Sequence, residues 1–177
     1  MKKVSIAIGL ILSFLIVYLL QSNFFSWFNL AGVRPNLFVI LVLSIGLFTG
    51  RGFGSAFGIL FGLSLDFFIG KSIGISAIML GIIGFLGGYL SKNFSKDSRI
   101  TMMIMILFAT LIYEIGTYMF NYFINSVNIE LFYFVKVLLI ELVFNLLITI
   151  VIYPLIMKFG YKIEENFREN KILTRYF

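Results

Sequence analysis

Residues 50–74 read GRGFGSAFGILFGLSLDFFIGKSIG, and every fourth residue of this run is glycine except Asp66. Residues four apart lie near one face of an α-helix, so the pattern predicts a helix face that carries no side chains. In lipid, where helices associate by packing, such a face lets a second backbone come close. We interpret it as internal packing of the second to fourth helices, with a seam to another protein as the alternative. Its positions are Gly54, Gly58, Gly62, Gly70 and Gly74.

The composition of the whole chain indicates a membrane protein. Of its 177 residues, 60% are hydrophobic and 12% are charged, whereas soluble domains have about 45–50% and about 25%. This excludes a soluble enzyme, a disulfide scaffold and a disordered tail. The chain has no cysteine and no histidine, so it lacks the commonest metal ligand and general base, and we expect no cofactor and no catalysis. The net charge of +6 favours anionic lipids as a neighbour over nucleic acid.

Six apolar segments are predicted to cross the membrane as helices, because backbone groups cannot stay unpaired in lipid. They are residues 4–20, 36–49, 53–69, 73–90, 100–123 and 131–157. The second segment reaches only about 21 Å, so a re-entrant hairpin with the third segment is the alternative to a crossing. We expect a single all-α transmembrane domain whose first helix is a retained anchor. The tail, residues 158–177, is expected to lie as a short helix on the membrane surface, with partner binding as the alternative.

The distribution of lysine and arginine predicts that both termini are cytoplasmic. If the N-terminus is inside, eleven of these residues lie on the cytoplasmic side, and Arg34 and Lys71 lie outside. Basic residues concentrate in cytoplasmic loops, so this bias fixes the orientation. We therefore expect a multi-pass membrane protein with both termini on the cytoplasmic side.

Two ionisable residues lie at equal depth near the outer ends of predicted spans, namely Asp66 and Lys136. A charge in the bilayer centre costs about 2.5–3.5 kcal/mol, so we expect these residues either to pair or to find other partners. Lys136 can extend to the interface, and Asp66 can accept hydrogen bonds from Ser64 or from the turn at residues 71–72.

Two further acids, Glu114 and Glu141, lie nearer mid-membrane, and Asn145 follows Glu141 by one helical turn. We favour protonated carboxyl groups that hydrogen-bond to Thr, Tyr or Asn side chains and join helices. A proton path or a cation site is the alternative.

Three short motifs occur in a characteristic order. Leu20-Gln21-Ser22 closes the first helix, Gly32-Val33-Arg34-Pro35-Asn36-Leu37 opens the second, and Gly50-Arg51 begins the glycine pattern. With Pro35, Asn36 and Arg51 as motif positions, this order resembles MreD, a family of bacterial rod shape-determining proteins. The motifs cover about residues 20–77, and the remainder is similar in hydropathy and in the layout of its spans.

The resemblance implies a non-enzymatic scaffold of the inner membrane that serves elongation of the lateral cell wall. The partners it implies are an MreC-like single-span protein, the wall synthases RodA and a class B penicillin-binding protein, and the cytoplasmic MreB filament. It also implies a fold similar to the S component of ECF-type vitamin transporters. On this hypothesis, the face made by Gly54, Gly58 and Gly62 helps to seat a partner helix such as that of MreC.

Two other functions remain open from the sequence. A substrate-binding S component would have a polar pocket near the outer face, which Asp66, Lys136 and Asn36 could line. A proton-coupled exporter would use Glu114 and Glu141.

Overall fold

A computed structural model describes residues 2–29, 32–69, 74–92, 94, 97–125 and 130–173, and these residues form helices and no strand. The prediction of an all-α fold with six helices is confirmed for this part of the chain. A π-helical turn (Leu20–Phe24) and one further helical turn (Phe25–Trp27) extend the first helix. The helices are α1 (Lys2–Leu19), α2 (Leu37–Thr49), α3 (Arg51–Ile69), α4 (Ile75–Leu90), α5 (Arg99–Asn125) and α6 (Leu131–Leu173).

Two helices are long and apolar enough to cross a membrane, over Arg99–Ile124 in α5 and Leu131–Glu165 in α6. Large apolar side chains are exposed on the outer helices, with Phe67 82% and Phe132 83% accessible. A surface of this kind suits lipid better than water. Crossing by all six helices and cytoplasmic termini remain predictions.

Helix α2 is the centre of the bundle. Eleven of its 13 residues are buried, and it contacts each of the other five helices. Its length of about 20 Å was the reason to consider a re-entrant hairpin. The structure surrounds this short helix with protein, so its two ends can stop below the membrane surface without exposing backbone to lipid.

One glycine joins α2 to α3. Gly50 has φ +92°, a backbone conformation that side chains disfavour. Its N–H donates to the carbonyl of Gly46 at 2.9 Å, and its own carbonyl accepts from Gly54 at 2.9 Å. The chain therefore reverses within a single residue, and α3 starts beside the end of α2.

The glycine face of α3 packs against α4 of the same chain. A Cβ atom on Gly54 would overlap the carbonyl of Gly84, one on Gly58 would overlap the carbonyl of Leu80, and one on Gly62 would overlap the backbone of Ala77. The two backbones are thus in direct contact along the face, as the sequence pattern indicated. Because α4 fills this face, a helix of another protein cannot occupy it in this structure. Internal packing therefore replaces the partner-seating hypothesis for these three glycines.

The last glycine of the repeat does not belong to this contact. Gly74 has φ +105° and precedes α4, and a Cβ atom there would meet nothing within 4 Å. It serves the turn and not the helix face. Gly70 lies outside the described residues.

Helix α6 continues beyond the predicted end of its span at residue 157 and reaches Leu173. The apolar run ends there, but lysine, glutamate and arginine favour helix as strongly as apolar residues do, so the helix need not stop. A Cβ atom on Gly160 would overlap the ring of Phe48, and the Tyr161 ring lies 5.5 Å from it. The first turn of the predicted tail is therefore attached to the end of α2. Residues 174–177 of the tail lie outside the described part.

We expect Gly58→Leu to lower the stability of the folded protein, because the new side chain meets the backbone of α4, which cannot move aside by a rotamer change. Overpacking of this kind costs about 1–3 kcal/mol. The measurement is thermal unfolding of the purified protein in detergent. Gly52→Leu is the matched control, since Gly52 lies on the same helix with open space around its Cβ position. Equal unfolding temperatures for the two variants would contradict the packing described here.

Candidate functional site

The buried start of α2 is held by amide side chains from three parts of the chain. The first N–H groups of a helix have no partner within the helix. Here Leu37 N–H donates to Gln21 Oε1 at 3.1 Å, and Val39 N–H donates to Asn36 Oδ1 at 3.3 Å. Asn36 N–H donates to Asn145 Oδ1 at 2.8 Å. Asn36 is therefore the N-cap of α2, while the π-helical turn after α1 and helix α6 supply the other two acceptors.

Asn145 also connects α6 to α5. Its Nδ2 donates to Thr110 Oγ1 at 3.0 Å, and Thr149 Oγ1 donates to the Asn145 carbonyl at 2.6 Å. All three side chains are fully buried. Both ends of the Asn145 amide are thus used, one for α2 and one for α5.

Two carboxyl groups adjoin this amide. Glu114 on α5 and Glu141 on α6 lie close to each other, and Glu141 also lies close to the side chains of Asn36 and Asn145. A carboxylate has no proton to donate, so two carboxyl groups bond to each other only if at least one is protonated. Oε1 of Glu141 is buried without a partner among the described residues. The structure therefore brings together four of the predicted residues, Asn36, Glu114, Glu141 and Asn145.

Tyr113 extends the cluster to α4. Its side chain is buried, and its hydroxyl reaches the side chains of Ser76 and Asn36. We name the group Asn36, Thr110, Tyr113, Glu114, Glu141 and Asn145 the polar cluster. Its members come from α5, α6 and the start of α2, and with Ser76 it reaches α4.

The arrangement of the polar cluster suits the joining of helices. Its hydrogen bonds run between helices, and in a dry interior such bonds fix the helices relative to one another. No group of three or more His, Cys, Asp or Glu side chains that could hold a metal ion occurs within the described ranges.

Asp66 has a separate structural partner. Its Oδ2 accepts from the N–H of Gly74 at 2.8 Å and from the N–H of Ala77 at 3.3 Å. The carboxylate thus caps the start of α4, where the helix dipole favours negative charge. Lys136 is exposed on α6, and among the described residues the two do not form an ion pair. Equal depth in the membrane did not bring the two side chains together. Depth does not determine the direction in which a side chain points around its helix axis.

The other two motif residues lie at opposite ends of α2. Pro35 is buried next to the N-cap. Arg51 begins α3, and its guanidinium carbon lies 4.5 Å from the centre of the Tyr89 ring and 5.9 Å from that of Phe85. Arg51 thus links α3 to α4 by stacking.

Sequence reasoning assigned no role to Gln21 or Ser76. Gln21 was part of a motif but had no partner, because its bond to Leu37 spans 16 positions of the chain. The sequence signal for it was weak: a buried helix start needs acceptors, but Gln21 is one of several polar residues between the first helix and α2. The N-cap role of Asn36 was also readable, since asparagine directly before an apolar helix is a typical cap.

Comparison with models of known families shows what the chain is similar to. A family model described as rod shape-determining protein MreD matches residues 2–163. This confirms the resemblance that was based on about residues 20–77, and the match includes the whole polar cluster. No curated protein and no solved structure matches the chain.

We expect Asn145→Ala to destabilise the protein by about 1–3 kcal/mol, because it leaves the Asn36 N–H and the Thr110 hydroxyl without a partner in a site that water does not reach. Thermal unfolding in detergent measures the effect. Ser64→Ala is the control, since the Ser64 hydroxyl bonds to Leu60 within its own helix. If Asn145→Ala unfolds at the same temperature as Ser64→Ala, the cluster does not hold the helices.

Proposed function

The chain belongs to the MreD family of rod shape-determining proteins, and from this premise we propose that it is a non-enzymatic scaffold of the cell-wall elongation machinery in the bacterial inner membrane. A role in determining rod shape follows from the family itself. The scaffold mechanism and the multi-pass arrangement in the inner membrane are the parts that we add. The family match over residues 2–163 carries the proposal.

The polar cluster supports a scaffold over a transporter. Asn36, Thr110 and Asn145 bond to one another or to the start of α2, and Asp66 bonds to the start of α4. Polar groups that are used in this way position helices and are not left to bind a substrate. Two of the three residues that an S component could place in a pocket, Asp66 and Asn36, are helix caps. The transporter alternative is therefore not favoured.

The partners that we propose are an MreC-like single-span protein, RodA with a class B penicillin-binding protein, and the MreB filament on the cytoplasmic side. Since α4 covers the glycine face of α3, a partner helix would pack on the outward faces of the bundle. The contact between α3 and α4 would act on partner binding indirectly, by keeping those outward faces in register.

Depletion of the protein followed by microscopy tests the proposal. We expect cells to become round, because the scaffold that keeps wall synthesis on the lateral wall is lost. A plasmid copy of the wild type or of Gly52→Leu should restore rods, whereas Gly58→Leu should not. Normal rods that need a vitamin for growth would instead support an S component.

Substitutions of Glu114 and Glu141 distinguish the scaffold hypothesis from the hypothesis of a proton-coupled exporter. Gln is close in shape to a protonated Glu and keeps a donor and an acceptor, so we expect Glu114→Gln and Glu141→Gln to restore rods in depleted cells. Glu141→Ala, which removes the group, should restore them poorly and should lower the unfolding temperature. Loss of rod shape in both glutamine variants, with unchanged thermal stability, would contradict the scaffold role and favour proton transfer.

A further inference from the structure

An apolar groove runs along the outer surface between α3 and α4. It has a volume of about 430 Å³, and its walls include Ile59 from α3 and Ile78, Ile82 and Phe85 from α4. Each of these four side chains is more than 40% exposed. From Ala77 to Leu86, the first and last lining residues of α4, the helix rises about 14 Å. This is close to the thickness of the hydrocarbon of one membrane leaflet, about 15 Å.

A positive charge lies at one end of the groove. The Arg51 guanidinium stacks on Phe85, which lines the groove, and on Tyr89, which follows one turn later. Ser55, also a lining residue, lies one helical turn after Arg51, so both point to the same side of α3. Stacking uses the flat face of a guanidinium and leaves its edge free for hydrogen bonds.

The side chain of Arg51 is half-buried. The Nε atom of Arg51 is buried, and no group among the described residues accepts its hydrogen bond. The terminal nitrogens of an arginine can donate to two oxygens of a phosphate. Lys92 follows α4 at the same end of the pair and is exposed, which adds positive charge beside the groove.

We propose that this groove binds one anionic phospholipid, with an acyl chain along the outer surface of the α3–α4 pair and the phosphate on Arg51. The occupant is a lipid because the lining side chains are almost all apolar over about the length of one leaflet, and the cation lies at the end where a headgroup would be. The occupant is anionic because the charge at the end of the groove is positive. This inference does not depend on the role in cell shape.

Native mass spectrometry of the purified full-length protein tests the proposal. The protein in a neutral detergent is titrated with phosphatidylglycerol or with phosphatidylcholine of the same acyl chains. We expect the first phosphatidylglycerol to bind about fivefold more tightly than phosphatidylcholine, and Arg51→Gln to remove this preference. Inorganic phosphate at millimolar concentration should not displace the lipid, because it lacks the chain that fills the groove.

Arg99→Gln is the matched control. Arg99 also begins a helix, and its guanidinium lies 5.4 Å from the centre of the Tyr153 ring, but it does not border the groove. We expect this variant to keep the preference. If Arg51→Gln fails to fold, Ile82→Trp gives a second test, since it fills the groove at an exposed position with Arg51 intact and should reduce lipid binding about fivefold.

Three results would overturn the proposal. The first is equal binding of the two lipids by the wild type, which would leave the groove to a protein helix. The second is an equal loss of preference in Arg51→Gln and Arg99→Gln, which would indicate general charge attraction. The third is displacement of the lipid by inorganic phosphate, which would indicate a site for a free anion.

Discussion

The buried first turn of α2 must find hydrogen-bond acceptors inside the protein, and this requirement organises the bundle. Neither lipid nor water can satisfy its N–H groups, and an unsatisfied group in such a place costs several kcal/mol. The acceptors are Gln21, Asn36 and Asn145, which lie far apart in the chain. Their bonds fix the π-helical turn after α1, and helix α6, against the central helix. Burying these polar side chains in a membrane costs free energy, and the hydrogen bonds that they form with the start of α2 offset that cost.

Backbone packing holds the same helix on another side. Gly46 and Gly87 let α2 and α4 approach closely, and Gly54 and Gly58 do the same for α3 and α4. Direct contact between backbones tolerates little sliding, because any side chain in the seam would force the helices apart. A bundle that is fixed both by hydrogen bonds at the start of α2 and by close packing along α3 and α4 presents its outward faces in one arrangement. A scaffold needs such a fixed arrangement of its outward faces. A transporter that opens and closes would need helices that move relative to one another.

The sequence predicted the elements of this structure better than their partners. The glycines at every fourth residue identified the contacting face of α3. A pattern along one helix does not show which other helix packs against that face. Equal depth suggested a bond between Asp66 and Lys136, whereas the structure has Asp66 capping α4, because a capping site eight residues away is available without any rearrangement of the bundle. The meeting of Glu114 with Glu141 and Asn145 depends on how α5 and α6 are rotated. Hydropathy is an average over the whole helix surface, so it does not predict how each helix is rotated about its axis.

Hydrogen exchange at the start of α2, measured by mass spectrometry on the protein in lipid nanodiscs, addresses the organising role of these amides most directly. First-turn N–H groups ordinarily exchange fast because they have no partner within the helix. We predict that the amides of Asn36, Leu37 and Val39 exchange as slowly as those in the middle of α2, and that Asn145→Ala speeds exchange at Asn36 while Ser64→Ala does not. Fast exchange of these three amides in the folded wild-type protein would contradict the account.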